Sequence, residues 1–146
     1  MIALIQRVSR ASVEVQGQTV GAIGRGVLAL IGIEASDSAA SGARILEKML
    51  SYRIFPDDAG KMNLDVRQIA GGLLLVPQFT LVADTAKGNR PSFSGGATPA
   101  LARQLFGEMV AAATAAHTPT ASGVFGADMQ VSLVNDGPVT FLLKST

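Results

Sequence analysis

The chain has no cysteine and one histidine, His117. Without cysteine there is no disulfide framework, no thiolate nucleophile and no Cys–zinc site. One histidine cannot supply a HExxH or three-His zinc site from a single chain. A Ser–His–Asp triad would have only His117 to draw on. Charge is scarce as well: 16% of 146 residues are charged, 12 basic against 11 acidic, for a net charge of +1. That balance leaves no broad polyanion footprint, so any nucleic-acid contact is local. Long hydrophobic runs are also missing. Mean hydropathy is high at +0.36, yet the best apolar runs, Val27–Ile33 and Leu73–Val76, are strand-sized. A spanning helix needs roughly 20 apolar residues, so no membrane span is expected. The opening Met1–Val8 goes straight into a strand pattern containing Gln6 and Arg7, unlike a signal peptide. The expectation is a cytoplasmic protein that holds no metal.

What is present suits one domain, residues 1–146. Hydrophobic residues reach 48%, too many for a disordered chain. With so few charges to cover the surface, part of the apolar excess is expected to be buried against a second subunit.

Period changes along the chain mark the elements. Ile2–Val8 reads as a buried strand. Ser12–Gln16 alternates, Gly17-Gln18 turns, and Thr19–Ile23 returns as a hairpin. Gly24 and Gly26 bracket another turn before the strand Val27–Ile33. Ile45, Leu46, Met49 and Leu50 share one face of a helix that starts near Asp37 or Ser38, either of which can be its N-cap. Tyr52–Phe55 reads as extended, and Pro56–Gly60 as a turn. Leu73–Val76 is a central strand. Ala83–Gly96 is a long polar loop, and such loops are often functional. Thr98 and Pro99 predict the N-cap and first residue of a second helix, with a stripe of Leu101, Leu105 and Met109. His117 falls in its last turn, where capping or solvation is the plain reading, and Pro119 stops it. Met129, Val131 and Leu133 alternate as a strand. Asn135–Pro138 reads as a turn, and Val139–Leu143 as the last strand. The fold class is α+β, a mostly antiparallel sheet or barrel with two helices packed outside.

Two segments stand out chemically. In Pro77-Gln78-Phe79-Thr80-Leu81, the plain reading makes Gln78 and Thr80 a polar strand face with Phe79 in the core. In Asn135–Thr140, the plain reading is a hairpin turn. An X-Pro bond can also be cis at low cost, and a Gly beside Pro lets backbone carbonyls approach another molecule closely.

With these residues in view, the chain resembles the D-aminoacyl-tRNA deacylases. The resemblance is carried by Met1–Val8, Tyr52–Phe55, Gly60–Leu64, Gln78–Leu81, Gly88–Phe93 and Met129–Thr140, nearly the whole chain. It implies a homodimer of barrel-like subunits that hydrolyses the ester joining a D-amino acid to the 3′-terminal adenosine of tRNA, with no cofactor. It implies that Gln78, Phe79 and Thr80 line the pocket for the aminoacyl-adenosine. Gly137 and Pro138 match the family's Gly-cis-Pro pair, which enters the partner subunit's pocket and rejects L substrates. That rejection is steric, so Gly-tRNA, with no side chain to clash, is expected to be cleaved too. Thr80 has no evident base, so the resemblance points to the terminal 2′-hydroxyl for activating water. Backbone N–H groups near Phe79 and Thr80 would meet the oxyanion. Arg7 is expected to donate to a carbonyl of the Gly-Pro turn, and Lys87 and Arg90 are candidate phosphate contacts. The family usually has Ser where this chain has Pro77, and any contact of that Ser is lost. Two other readings stay open: an editing relative with altered substrate choice, and a non-catalytic dimer that binds the tRNA 3′ end or a nucleotide.

Overall fold

The computed structural model describes residues Met1–Thr146. Its strands are β1 (Ile2–Val15), β2 (Gln18–Ile23), β3 (Gly26–Gly32), β4 (Phe55–Pro56), β5 (Met62–Leu64), β6 (Gly72–Pro77), β7 (Thr120–Ser122) and β8 (Gln130–Lys144). The helices are α1 (Ala39–Ser51) and α2 (Pro99–Ala116).

β1 organises the sheet. One of its edges pairs β3 through Ile2–Val8 and β2 through Ala11–Val15, and β8 pairs along its length. Both β2 and β3 run antiparallel to β1. The chain at Gly24-Arg25 therefore kinks onward rather than reversing, as the expected turn there required. The β1–β2 turn is Gln16-Gly17, with φ of 50° and 77°, one residue earlier than Gly17-Gln18. β6 adds to β3 in parallel, and β7 adds to β6 in parallel. The sheet then curls until β2 approaches β7, where a Cβ on Gly21 would lie 2.7 Å from the Ser122 carbonyl oxygen. The barrel is nearly closed, and antiparallel pairs predominate as expected.

The curl gives the sheet two buried faces. The helices cover the outer one, where Ala29, Ile31, Leu73 and Leu75 meet Ile45, Met49, Leu105 and Met109. Inside the curl, Leu28, Leu74 and Val76 pack with Val8, Val13 and Ile23. Strands buried on both faces read as unbroken apolar runs, which is why Val27–Ile33 and Leu73–Val76 do not alternate. Burying one such side chain fully contributes roughly 1.5–3 kcal/mol. The parallel pairing of β3 with β6 also brings two backbones very close. A Cβ on Gly26 would sit 2.0 Å from the Gly72 carbonyl oxygen, so a glycine is required there.

Both helices begin as the sequence predicts. Ser38 is the N-cap of α1; Asp37 instead holds the Met1 ammonium at 2.5 Å. Thr98 caps α2 by accepting from Leu101 N, with Pro99 leading the helix. His117 is not solvated. It caps the C-terminus of α2, is 9% exposed, and its Nε2 donates to the Gly71 carbonyl at 2.6 Å. That bond ties α2 to the start of β6.

Candidate active site

Pro77 ends β6. It has no N–H to continue the ladder, and Gln78 makes the last bond to β3, donating from its N to the Ile31 carbonyl at 2.8 Å. The chain then folds into a 3₁₀ turn, Phe79–Val82. The segment is thus no strand, and Phe79 is not in the core: it is 66% exposed. Leu81 N donates to the Gln78 carbonyl and Ala83 N to the Thr80 carbonyl, each at 3.2 Å. The N–H groups of Phe79 and Thr80, first in the turn, have no partner within it. They form a pair of donors at the head of a short helix.

The side chains around that pair build a groove. Phe79 packs against Phe93 with ring centroids 5.1 Å apart. A groove of about 500 Å³ runs from Pro77, Gln78 and Phe79 to Ala97, Phe125 and Met129. A smaller hollow behind it reaches Ile31, Val82 and Phe93. No ionisable side chain lines either one. Thr80 Oγ accepts from the Gln78 side-chain amide, which cannot take a proton from it, so Thr80 has no base to make it a nucleophile. No cluster of three or more His, Asp or Glu side chains is placed to hold a metal ion.

The second singled-out segment differs from the expected hairpin turn. Gln130–Lys144 is one strand, paired to β1 on both sides of Asn135–Thr140. Between the pairs Gln6↔Thr140 and Val8↔Asn135, the four residues Asp136–Val139 face Arg7 alone, so this stretch bulges out of the ladder. The Asn135 side chain closes the bulge. Its Oδ1 accepts from Val139 N at 2.7 Å, and its amide donates to the Val139 carbonyl and Thr140 Oγ. Arg7 holds the other side, donating from Nε to the Asp136 carbonyl at 2.8 Å and from Nη1 to the Ile54 carbonyl at 2.7 Å. The Gly137-Pro138 peptide at its tip is cis.

These two segments do not meet within one chain. Arg7 pairs with Val27 on β3, whereas the groove opens at Ile31 and Pro77. Four residues of strand, about 13 Å, separate those levels. Lys87 and Arg90 sit exposed in an excursion closed by paired bonds between Asp84 and Ser92, at 2.7 and 3.0 Å. Sequence reasoning missed Asn135 as the clasp and Phe93, Ala97 and Phe125 as walls. Asn before Asp-Gly-Pro was a usable signal for a side chain that bonds its own backbone. The walls had none, because they come from segments far apart in the chain.

Residues 4–144 match the family model of D-Tyr-tRNA(Tyr) deacylase. Over 144 residues the chain is 61% identical to the D-aminoacyl-tRNA deacylase of Thioalkalivibrio sulfidiphilus, covering 99% of this chain and 97% of that one. It is 60% identical to the D-aminoacyl-tRNA deacylase of Aeromonas hydrophila, covering 99% of each. Among solved structures, one described as c-Myc DNA Unwinding Element Binding Protein superposes with a TM-score of 0.94 at 38% identity, covering 100% of this chain and 99% of that chain. Another, described as a probable eukaryotic D-amino acid tRNA deacylase, superposes at 0.84 over 97% of each chain. At 16% identity it supports the fold alone.

Proposed function

The chain belongs to the D-Tyr-tRNA(Tyr) deacylase family, and on that premise we propose how it hydrolyses the ester of a D-aminoacyl-tRNA to free tRNA and D-amino acid. The reading rests on a groove with no ionisable side chain in its walls, lined by Gln78 and Phe79 at the start of a 3₁₀ turn whose first two N–H groups, those of Phe79 and Thr80, have no partner within the turn. Such a site can bind and orient an ester and stabilise a developing oxyanion, but it cannot move a proton with its own side chains.

The proposed path follows from that inventory. The terminal adenosine lies in the groove against Phe79, with Gln78 and Thr80 at the ester. Water attacks the carbonyl carbon, and the Phe79 and Thr80 N–H groups donate to the oxygen as it becomes negative. The bond from the carbonyl carbon to the ribose 3′-oxygen breaks, and that oxygen takes up a proton. The neighbouring 2′-hydroxyl positions the water and relays the proton. Thr80 and Phe79 are catalytic in the sense of contacting the reacting atoms.

Selection by handedness comes from a second subunit. The Gly137-Pro138 bulge lies too far from its own groove, so we assign it to the groove of a partner. There its carbonyls accept from the substrate α-amino group and fill the space an L side chain requires. Arg7 acts by holding the bulge. A homodimer also accounts for β8, whose outer edge has no strand partner while Phe141 and Leu142 on it are 37% and 54% exposed. A long unpaired strand carrying exposed apolar side chains calls for a cover. We assign the enzyme to the cytoplasm because its tRNA substrate is there. No helix of the chain is long and apolar enough to cross a membrane.

The test is deacylation of D-Tyr-, L-Tyr- and Gly-tRNA side by side in EDTA. Rapid loss of the D and glycyl esters is expected, with the L ester intact. A glycyl ester that survives enzyme levels clearing D-Tyr-tRNA overturns the steric filter. Binding without turnover of any ester would make the chain a tRNA-end binding module. In the same assay, His117→Ala is expected to leave kcat unchanged. Its melting temperature should fall by several degrees, reflecting the unsatisfied Gly71 carbonyl at a cost of about 1–3 kcal/mol.

A further inference from the structure

We propose that Arg103 is a second nucleic-acid contact at the groove, taking a backbone phosphate of the single-stranded acceptor end. Arg103 lies in the second turn of α2, exposed to solvent. Its guanidinium sits 5.0 Å from the centroid of the Phe125 ring, and Phe125 is a wall of both the groove and the hollow behind it. A Cβ on Gly126, also in that wall, would lie 3.3 Å from Arg103 Nη2. The guanidinium therefore hangs over the lip of the groove on a fixed aromatic support.

Its donors are unused. None of the ion pairs involves Arg103, and no hydrogen bond takes its side chain. Asp128, the acid nearest in sequence to that wall, does not pair with it. An arginine oriented by an aromatic ring with its fork left free suits a phosphate, because the planar fork matches two phosphate oxygens. Lys87 and Arg90 are exposed in the excursion just before Phe93, which lines the hollow behind the groove. A cation at the lip of an apolar, aromatic-lined groove suits a single strand: the groove takes a base and the cation takes backbone.

This inference rests on the deacylase reading, and the test separates the two. Arg103→Ala and Arg103→Lys are compared with the parent protein on D-Tyr-tRNA and on 3′-O-(D-tyrosyl)adenosine, which carries no phosphate. For Arg103→Ala, KM for D-Tyr-tRNA should rise about tenfold with kcat unchanged. The salt slope of log KM should fall by roughly 0.7, one single-strand phosphate, with no change on the adenosine ester. Arg103→Lys should restore the salt slope. Equal losses on both substrates would make Arg103 a prop for Phe125 and overturn the proposal, as would no change on either. If the parent cleaves neither ester, the deacylase reading fails. Salt titration of uncharged tRNA binding to parent and Arg103→Ala then decides the phosphate contact by itself.

Discussion

A D-aminoacyl-tRNA whose terminal ribose lacks the 2′-hydroxyl, with its ester on the 3′-oxygen, is expected to be cleaved at least ~100-fold more slowly than the natural substrate. A positioned proton-transfer group contributes about 10²–10⁴ in rate. In most hydrolases a side chain supplies it. Here the groove walls are Pro, Gln, Phe, Ala, Gly, Met and Val, and the Thr80 hydroxyl is engaged by the Gln78 amide. His117 is held against Gly71 at the far end of α2. The substrate's own hydroxyl is the remaining group next to the scissile bond. Single-turnover rates on deoxy- and ribo-terminated D-Tyr-tRNA measure the difference directly. Equal rates would require a protein base that these walls do not contain.

Gly137→Ala is expected to lower D-Tyr-tRNA deacylation by ~100-fold or more and to narrow the gap between D and L substrates. An added Cβ would lie 2.5 Å from Val139 N and 2.6 Å from Val139 Cγ2. Val139 is buried at 7% exposure and bonded through its N to Asn135, so it cannot retreat. The bulge must shift instead, and displacement of a positioning group by 1 Å can cost about 10²-fold. The ladder on either side of the bulge does not include Gly137, so the circular dichroism spectrum should match that of the parent. Arg7→Gln is the companion variant. It removes the donor pair that spans Asp136 and Ile54 without placing any atom in the bulge, and it should lose activity in the same direction. Full activity and selectivity in both would remove Gly137-Pro138 from the filter.

Particular residues show how far the sequence reaches. Both helix starts were legible because caps are local: Ser38 and Thr98 are read from a few neighbours. The central strands were legible because doubly buried strands need apolar runs. The continuity of β8 was not. Asn135-Asp136-Gly137-Pro138 has the composition of a reversing turn, and only pairing with β1 on both sides shows that the chain bulges and resumes. Phe79 looked like core because alternation implied a strand, but β6 ends at Pro77 and the 3₁₀ turn throws the ring outward. His117 read as a helix cap or a solvated residue; it is the cap, and the start of the parallel strand β6 gives its ring a carbonyl.

Composition by itself determined which chemistries this protein cannot use, since a side chain that is absent cannot act wherever the chain folds. Motifs in order determined its family. The tertiary structure decided which residues share a groove and which do not. It brought Phe125 and Phe93 to the walls of one hollow with Arg103 over the Phe125 ring, and it placed the Gly137-Pro138 bulge at the far level of the sheet from Gln78–Thr80. Those placements depend on the parallel addition of β6 and β7 and on the curl of β2 towards β7. Such long-range pairings are chosen by the burial of whole faces, and no short stretch of residues encodes them.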